Sequence, residues 1–599
     1  MTTYVARYIK EKGVNTLIKT LLKSLRQYKK ATIWTILLSI LEVVFEIVIP
    51  LCISNVIDLG IYKGNMSAVA KYSVALLIFA IMQLITGFSS AIVAAKASVG
   101  FAENLREDMY DNVQTFAFSN IDKFSTASIV TRLTTDVTNI QNAYQMLIRM
   151  AIRGPFMLIF AMIASFKIDK DISLVFFAVI PVLAILLYII VKNVTPLFNK
   201  AFHTYDELNN AVQEDVKGIR VVKSYNQEAN ETSKFKGISS RIYSDFSKGE
   251  RLISLNSPLM QFCMYATMII ISWLGAKAIV ASGNDLANGL TTGNLTALIT
   301  YSTQILMSLM MLSMVFSMIT IAGSSAKRVA ELLQEKTTIT QPEDPIMEVK
   351  NGDIKFDHVD FAYGDKANKK VLDDVCIDIK SGETVGIIGS TGSSKSSLVQ
   401  LIPRLYDVCS GNVQLGDVDV RKYDLDVLRN SVAMVLQKNE LFSGTVKENL
   451  RWGNENATDE EIVEACKMSC ADEFVSTMEN GYDTYIEQGG TNVSGGQKQR
   501  LCIARALLKK PKVLILDDST SAVDTKTDAL IQRSFASYIP DTTKIIIAQR
   551  ISSVQYADKI IVMDDGKISA IGTHDELLKS SSIYKEVYDS QQKGEKENG

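Results

Sequence analysis

Six apolar stretches, each long enough to cross a lipid bilayer, occupy the first half of this 599-residue chain. They lie near residues 32–60, 70–96, 143–166, 171–193, 254–281 and 294–323. A backbone inside a bilayer must satisfy its hydrogen bonds without water, so we expect six membrane-spanning α-helices. The connections at 97–142 and 194–253 are long and charged, whereas the other three are short. This alternation predicts a bundle whose two long connections lie on the same side of the membrane.

Basic residues are concentrated before the first apolar stretch and determine the predicted orientation. They are Arg7, Lys10, Lys12, Lys19, Lys23, Arg26, Lys29 and Lys30. By the positive-inside rule we expect a cytoplasmic N-terminus, and therefore two cytoplasmic long connections. Residues 14–25 carry apolar side chains at helical spacing among lysines, which predicts an amphipathic helix on the membrane surface. An ordinary bundle helix is the alternative, and the polar start argues against a removable signal peptide.

Composition fits a chain divided between membrane and water, because the mean hydropathy is only +0.13. The net charge is −2 with acids and bases mixed, which gives no case for a nucleic-acid partner. The seven cysteines have neither metal-ligand spacing nor the spacing of a disulfide framework. We therefore expect their thiols to be reduced and their side chains to serve in packing.

A phosphate-binding motif stands in the second half of the chain, at Glu383–Ser397. It combines a strand, a loop of small residues and a helix, so that backbone N–H groups and the helix N-terminus point at phosphate oxygens. In this motif Lys395 reaches the terminal phosphates and Ser396 ligates Mg²⁺. The predicted ATP-binding residues of the loop are Gly389, Ser390, Thr391, Gly392, Ser393, Ser394, Lys395, Ser396 and Ser397. Ser394 occupies the position where a glycine normally precedes the lysine.

Strand-like runs alternate with helical segments around this motif, which predicts a parallel α/β domain. The runs are Thr384–Ile388, Val432–Leu436, Val513–Leu516 and Lys544–Ile547. The third run ends in two acids, and its position predicts that Asp517 faces the Mg²⁺ of the nucleotide. The run Val493–Gln497 contains Ser-Gly-Gly, which brings bare backbone amides and a helix N-terminus against a phosphate.

These motifs, together with Tyr363, Gln437 and Ser521–Asp524, resemble in order and spacing the full motif set of the ABC transporter family. The resemblance extends over essentially the whole chain, since Phe124–Val137 and Glu214–Glu228 look like the coupling segments of ABC exporters. It implies a six-span α-helical transmembrane bundle fused to an α/β P-loop nucleotide-binding domain. The expected domains are a tail and interfacial helix, the membrane domain, a linker, the nucleotide-binding domain and a polar tail, at 1–30, 31–330, 331–346, 347–590 and 591–599.

The resemblance also implies roles for individual residues. Tyr363 stacks on the adenine, and Gln437 senses the γ-phosphate and joins Ser396 and Asp517 as a Mg²⁺ ligand. The signature residues close over ATP bound to another half-transporter, so one chain does not form a complete site alone. They are Ser494, Gly495, Gly496 and Gln497.

Two catalytic positions depart from the family pattern. Asp518 replaces the glutamate that acts as base or orients water, and Gln549 replaces the switch histidine. One methylene less withdraws the carboxylate by roughly 1.5 Å, and misplacement by about 1 Å can cost about a hundredfold in rate. The alternative is that aspartate still serves as base and glutamine alters only timing. With Ser394, the pattern resembles the degenerate half of heterodimeric bacterial exporters, whose partner supplies the competent glutamate and histidine.

Two groups of residues in the apolar stretches are candidates for substrate contact. Glu42 and Glu46 lie one helical turn apart in the first stretch, where a carboxylate is costly unless it faces water or a partner. They either attract cationic drugs, line a hydrated cavity or bond neighbouring helices. Met307, Met311 and Met314 share a face of the sixth stretch, which suits either a promiscuous surface or ordinary helix packing.

We therefore expect ATP-driven export of small amphipathic or drug-like molecules across a bacterial cytoplasmic membrane. The expected cofactors are ATP and Mg²⁺, and the expected partners are a non-identical half-transporter, membrane lipid and the small-molecule substrate. Export of a peptide or lipid is one alternative. A gate or regulator that binds ATP without pumping is another, and it agrees with Asp518 and Gln549.

Overall fold

The computed structural model describes residues 14–284, 289–364, 369–518 and 525–597. These residues form two compact units. The first comprises the described residues up to Gln114 together with Thr126–Glu335, and the second comprises Thr115–Ser125 and the described residues from Lys336 onward. The basic residues Arg7, Lys10 and Lys12 and the motif Ser521–Asp524 lie outside the described residues.

The regular structure of the first unit consists of helices. The helices listed next belong to this unit, except α4, which belongs to the second unit. The helices are α1 (Val14–Lys23), α2 (Lys29–Asn55), α3 (Met66–Gln114), α4 (Phe118–Phe124), α5 (Thr126–Thr131), α6 (Val137–Ile168), α7 (Lys170–Lys217), α8 (Ile219–Ser224), α9 (Glu228–Ser254), α10 (Asn256–Ser282) and α11 (Thr292–Gln334). Helix α1 is amphipathic as predicted, because Leu21 is buried while Lys19 and Lys23 are exposed.

Six stretches of the described helices are long and apolar enough to span a membrane, which confirms the predicted number. They are Arg26–Ile61, Met66–Gln114, Thr126–Ile168, Lys170–Phe198, Glu228–Ala281 and Thr292–Phe316. Large apolar side chains on these helices, such as Trp273 and Phe262, are exposed to their surroundings. This is the expected arrangement for a bundle solvated by lipid, since lipid tails are as apolar as the side chains themselves.

A buried carboxylate joins the end of the first span to the start of the last. Helix α2 continues as a π-helical segment at Val56–Ile61, and this segment turns Asp58 towards the N-terminus of α11. The Asp58 carboxylate accepts hydrogen bonds from the Thr291 hydroxyl at 2.6 Å and from the Gly293 N–H at 2.9 Å. A Cβ at Gly293 would overlap this carboxylate, so glycine is required for the close approach. A negative charge at a helix N-terminus also interacts favourably with the helix dipole.

Replacing Asp58 should destabilise the helical unit. Asp58→Ala leaves the buried Thr291 hydroxyl and Gly293 N–H without their acceptor, and the expected loss is about 2–3 kcal/mol of unfolding free energy. Denaturation of the purified chain in detergent measures it. The control is Asp111→Ala on the exposed surface of α3, for which we expect a change within about 0.5 kcal/mol. Equal effects of the two substitutions would contradict the capping role.

The second unit contains three β-sheets. Its strands are β1 (Ile354–Phe361), β2 (Leu372–Ile379), β3 (Thr384–Gly389), β4 (Ser410–Leu415), β5 (Val418–Asp419), β6 (Val432–Val435), β7 (Gly444–Thr445), β8 (Tyr485–Ile486), β9 (Val513–Asp517), β10 (Thr543–Ile547), β11 (Lys559–Asp564) and β12 (Lys567–Gly572). The central sheet has the order β12-β11-β3-β10-β9-β6, and every pairing in it is parallel except that of β12 with β11. The four predicted strands are all present in this sheet.

Helices cover the central sheet and fill the connections of the second unit. They are α12 (Lys395–Gln400), α13 (Leu425–Ser431), α14 (Val446–Arg451), α15 (Asp459–Met468), α16 (Asp472–Val475), α17 (Gly495–Leu508), α18 (Thr525–Tyr538), α19 (His574–Ser580) and α20 (Ser582–Glu597). Strand β9 is buried on both faces: Leu514 and Leu516 enter one hydrophobic core, while Val513 and Ile515 enter the other. This is why the strand is a continuous apolar run. Helix α20 runs past residue 590, and the predicted domain bounds stay a prediction.

Candidate nucleotide-binding site

The phosphate-binding loop follows β3, which lies between β10 and β11 in the middle of the central sheet. Because these strands are parallel, their carboxyl ends meet at one edge, and the loop begins there. Close packing requires Gly389, since a Cβ would overlap the Met563 carbonyl oxygen. The loop turns back through Gly392, whose φ is +88°, and leads into the N-terminus of α12.

Lys395 lies inside the curve of this loop. Its ammonium donates to the carbonyl oxygens of Gly389 and Ser390 at 2.9 and 2.8 Å and to Ser393 Oγ at 3.2 Å. Burial lowers the pKa of Lys395, whereas the charges of Asp517 and Asp518 act in the opposite direction. The cation is therefore held by weak carbonyl acceptors, for which phosphate oxygens are stronger replacements.

Ser394 adopts a backbone conformation that suits glycine, with φ +71° and ψ +21°. A non-glycine residue in this left-handed region is strained by about 1–2 kcal/mol. The departure noted in the sequence therefore carries a structural cost at the entry to α12. The loop nevertheless keeps its helix, and Leu398 donates its N–H to the Ser394 carbonyl at 3.1 Å.

Ser394→Gly should relieve this strain. Glycine also loses more chain entropy on folding, about 0.5–1 kcal/mol, so the expected net gain is about 0.5–1 kcal/mol of stability in the second unit. Denaturant unfolding of the purified chain measures it. The control is Ser390→Gly in the same loop, where φ is not positive and the substitution should destabilise instead. A loss of stability in Ser394→Gly would contradict the strain.

Two oxygen ligands suited to Mg²⁺ lie together at the end of β9. Ser396 Oγ donates to Asp517 Oδ1 at 2.9 Å, and Asp517 is only 3% exposed. Burial raises the pKa of Asp517, while the hydrogen bond from Ser396 opposes the shift. A hydroxyl beside a carboxylate is a hard donor set of the kind that Mg²⁺ prefers. The residues present therefore fit the ion that the sequence motifs imply.

The two departing catalytic positions contact each other. Gln549 Nε2 donates to Asp518 Oδ2 at 2.7 Å, and Gln437 Nε2 approaches the same oxygen at 3.4 Å. Asp518 also has a positive φ of 47°. A glutamine amide can donate a hydrogen bond but cannot become a cation or carry a proton. The carboxylate is thus oriented by amides at the point where the sequence predicts the catalytic base.

Tyr363 stands beside the phosphate-binding loop with 43% of its surface exposed. Its ring packs edge-on against Phe361 and Tyr406, with centroids 4.8 and 5.1 Å apart, and its hydroxyl lies 2.8 Å from Ser397 Oγ. The ring is therefore fixed at one edge and open on the rest of its surface, as an adenine-stacking residue requires.

The signature residues form a separate feature at the start of α17. Ser494 Oγ accepts from the Gln497 N–H at 3.3 Å, and Gln497 Oε1 accepts from the Ser494 N–H at 2.9 Å. This capping box leaves Gly495 exposed at the helix N-terminus. Among the residues that the structure describes, hydrogen bonds link Tyr363, the phosphate-binding loop and Asp517, and Gln437 and Gln549 both bond Asp518. The signature instead lies at the start of α17.

The glutamates of the first span have a partner that the sequence analysis missed. Arg153 in α6 donates to Glu42 Oε1 at 3.0 Å and to Glu46 Oε2 at 2.6 Å. Of the three alternatives for Glu42 and Glu46, bonding to a neighbouring helix is therefore observed. The cluster combines two acidic side chains with one basic side chain. Two arginines inside the third apolar stretch, Arg149 and Arg153, were the available signal. Among the predicted methionines, Met307 and Met314 are more than half exposed and Met311 is partly buried.

Comparisons with known proteins agree with this arrangement. Residues 32–325 match the family described as the ABC transporter transmembrane region, and residues 372–521 match the ABC transporter family. The chain belongs to the ABC transporter family. ATP binding, and ATP hydrolysis coupled to transport, follow from this membership.

Relatives of this ABC transporter span nearly all of its length. The ABC transporter ATP-binding protein YfiB of Bacillus subtilis is 33% identical over 95% of this chain and 98% of its own. The ABC transporter ATP-binding protein Rv1273c of Mycobacterium tuberculosis is 31% identical over 96% of this chain and 98% of its own. A solved bacterial Atm1-family ABC exporter with ATP bound has a TM-score of 0.80 and 22% identity, covering 94% of this chain and 99% of that one. The two share a fold.

Proposed function

We propose that this ABC transporter chain is the degenerate-site subunit of a heterodimeric exporter, which moves small amphipathic or drug-like molecules out across a bacterial cytoplasmic membrane. The observation that carries the proposal is the contact between Asp518 and Gln549 at 2.7 Å. It joins the two residues that depart from the family's catalytic pair.

The chain's own site is equipped to hold MgATP. Lys395 is the cation for the terminal phosphates, Ser396 and Asp517 are the oxygen ligands for Mg²⁺, and Tyr363 is the platform for the adenine. Each of these side chains is positioned by β3, β9 or the strand end at Phe361. The Mg²⁺ ion, when bound, supplies charge neutralisation for the phosphate oxygens.

Hydrolysis at this site is proposed to be slow for a geometric reason. The Asp518 carboxylate is one methylene closer to the backbone than a glutamate carboxylate would be, and its amide partner Gln549 can orient it but cannot take up a proton as a histidine can. Loss of general-base assistance typically costs about 10²–10⁴ in rate, or roughly 3–5 kcal/mol of barrier. Two such sites in a homodimer would make a slow pump.

The intact signature supports a partner of different sequence. Ser494 and Gln497 cap α17 and leave its N-terminal amides accessible, which is the arrangement needed to contact the phosphates of ATP bound to another subunit. A non-identical half-transporter with a consensus glutamate and histidine would therefore combine its catalytic side with this signature. Basic residues at the start of the chain support a cytoplasmic N-terminus and nucleotide-binding domain.

A gate or regulator that binds ATP without pumping is the second candidate, and the contact between Asp518 and Gln549 also favours it. Inside-out vesicles containing the chain and its partner separate the two functions. Accumulation of a substrate against its gradient supports the pump, whereas equilibration that stops at equal concentrations supports the gate.

Restoring the consensus pair should accelerate hydrolysis by the chain alone. The wild-type chain is expected to turn over far below the 1–10 s⁻¹ typical of a working enzyme (order of magnitude). Asp518→Glu combined with Gln549→His should raise its rate by about tenfold or more, because it restores a base of full length and a titratable partner. Phosphate release from purified protein at saturating MgATP measures both rates.

The control for this experiment is Asp518→Asn, which has the same size as the wild-type side chain and no base. It should lower the residual rate without restoring the pattern. Wild-type turnover on the order of 1–10 s⁻¹ without any partner would contradict the degenerate-site proposal, as would a double variant no faster than wild type.

We further propose that Glu42 and Glu46 favour cationic substrates, because in the described part of the chain the two carboxylates share one arginine, Arg153. Neutralising both, as Glu42→Gln with Glu46→Gln, should reduce transport of a cationic dye several-fold more than transport of a neutral one. Vesicle uptake of the two dyes, with the partner present, measures the ratio. An equal reduction for both dyes would indicate that the glutamates only join neighbouring helices.

A further inference from the structure

Helix α20 presents one apolar face to the second unit. Tyr584, Val587, Tyr588 and Gln591 recur at the spacing of a single helix face. Tyr584 is fully buried, and its hydroxyl lies 2.8 Å from His574 Nδ1. Val587 and Tyr588 pack against the hydrophobic core of the unit. The helix is therefore fixed to the domain, and its face ends on the amide of Gln591.

The Gln591 side chain bonds the backbone on both sides of Arg550. Its Nε2 donates to the Gln549 carbonyl oxygen at 2.8 Å, and its Oε1 accepts from the Ile551 N–H at 2.9 Å. One planar amide thus satisfies two main-chain groups separated by a single residue. Such a paired contact fixes the direction of the backbone as well as its distance.

This contact lies where the central sheet no longer holds the chain. Strand β10 ends at Ile547, and Ala548 makes the last sheet-like hydrogen bond, from its N–H to the Ile387 carbonyl at 3.2 Å. The next residue is Gln549, whose side chain reaches Asp518. A short helical turn begins only at Ile551. The contact from Gln591 therefore spans the gap between two regular elements.

We propose that Gln591 is a positioning residue for the nucleotide site, which holds the backbone of Gln549 so that its amide meets Asp518. The inference rests on the proposed function in one respect, that Asp518 and Gln549 act on bound ATP. Gln591 does not touch the nucleotide in this role. It acts through the main chain, so that helix α20 determines the direction of the Gln549 side chain.

Gln591→Ala removes both hydrogen bonds and tests the proposal in the full-length chain. Exchange of the amide hydrogens at 549–551 should become about tenfold faster, since the Ile551 N–H loses its acceptor. Single-turnover hydrolysis of ATP at limiting nucleotide should slow by about tenfold, because a displacement of about 1 Å is enough for such a loss. The affinity for MgATP should stay within about twofold, since the phosphate-binding loop is not contacted.

Two further variants separate positioning from general stability. Gln592→Ala removes the neighbouring, exposed glutamine and should change neither exchange nor hydrolysis. Gln591→Glu keeps an acceptor for the Ile551 N–H but cannot donate to the Gln549 carbonyl, so it should restore slow exchange at Ile551 and leave hydrolysis impaired.

Three results would overturn the proposal. The first is unchanged exchange at 549–551 in Gln591→Ala. The second is faster exchange with unchanged hydrolysis, which would make the contact merely structural. The third is an equal loss in Gln592→Ala. Rapid turnover by the wild-type chain alone would contradict the degenerate-site proposal, but the ratio of Gln591→Ala to wild type would still decide the role of Gln591.

Discussion

The carboxyl edge of the central sheet is the constraint on which the nucleotide site depends. The parallel strands β3, β9 and β10 end at the same edge, so the sheet itself brings together residues that lie far apart in the chain. Lys395 arrives from the loop after β3, Asp517 and Asp518 from the end of β9, and Gln549 from just beyond β10. The apolar runs that bury these strands therefore position the charges, because hydrophobic burial fixes each strand and each strand fixes its end.

Buried charge is used differently in the two units. In the second unit, the carboxylate of Asp517 is nearly inaccessible and accepts a hydrogen bond from the Ser396 hydroxyl. This hydrogen bond does not neutralise the carboxylate, which can therefore bind a cation. In the helical unit, Asp58 is satisfied by donors at the N-terminus of α11, and its role is to hold two spans together. The group of Arg153, Glu42 and Glu46 lies between these cases, since one cation meets two anions. A charge inside a bilayer is costly, so each such group needs its partners.

Two of the departures from the family pattern are in direct contact. Gln549 bonds Asp518, and Gln591 bonds the backbone that carries Gln549. An aspartate with a glutamine partner forms a hydrogen bond in which neither side chain passes a proton to the other, whereas a glutamate with a histidine can exchange a proton. The strands that carry these positions are held by hydrophobic cores on both faces of the sheet.

The sequence by itself determined the six spans and the four central strands, and it predicted the nucleotide residues, because these depend on local patterns: apolar length, strand-like runs and motif spacing. The strain at Ser394 was also visible as a missing glycine. Only the tertiary structure decided which side chains meet across the fold. Arg153 lies more than 100 residues from the glutamates it bonds, and Gln591, assigned by composition to a polar tail, contacts a segment 40 residues earlier. Such pairings depend on how helices and strands pack, and no local pattern in the chain records them.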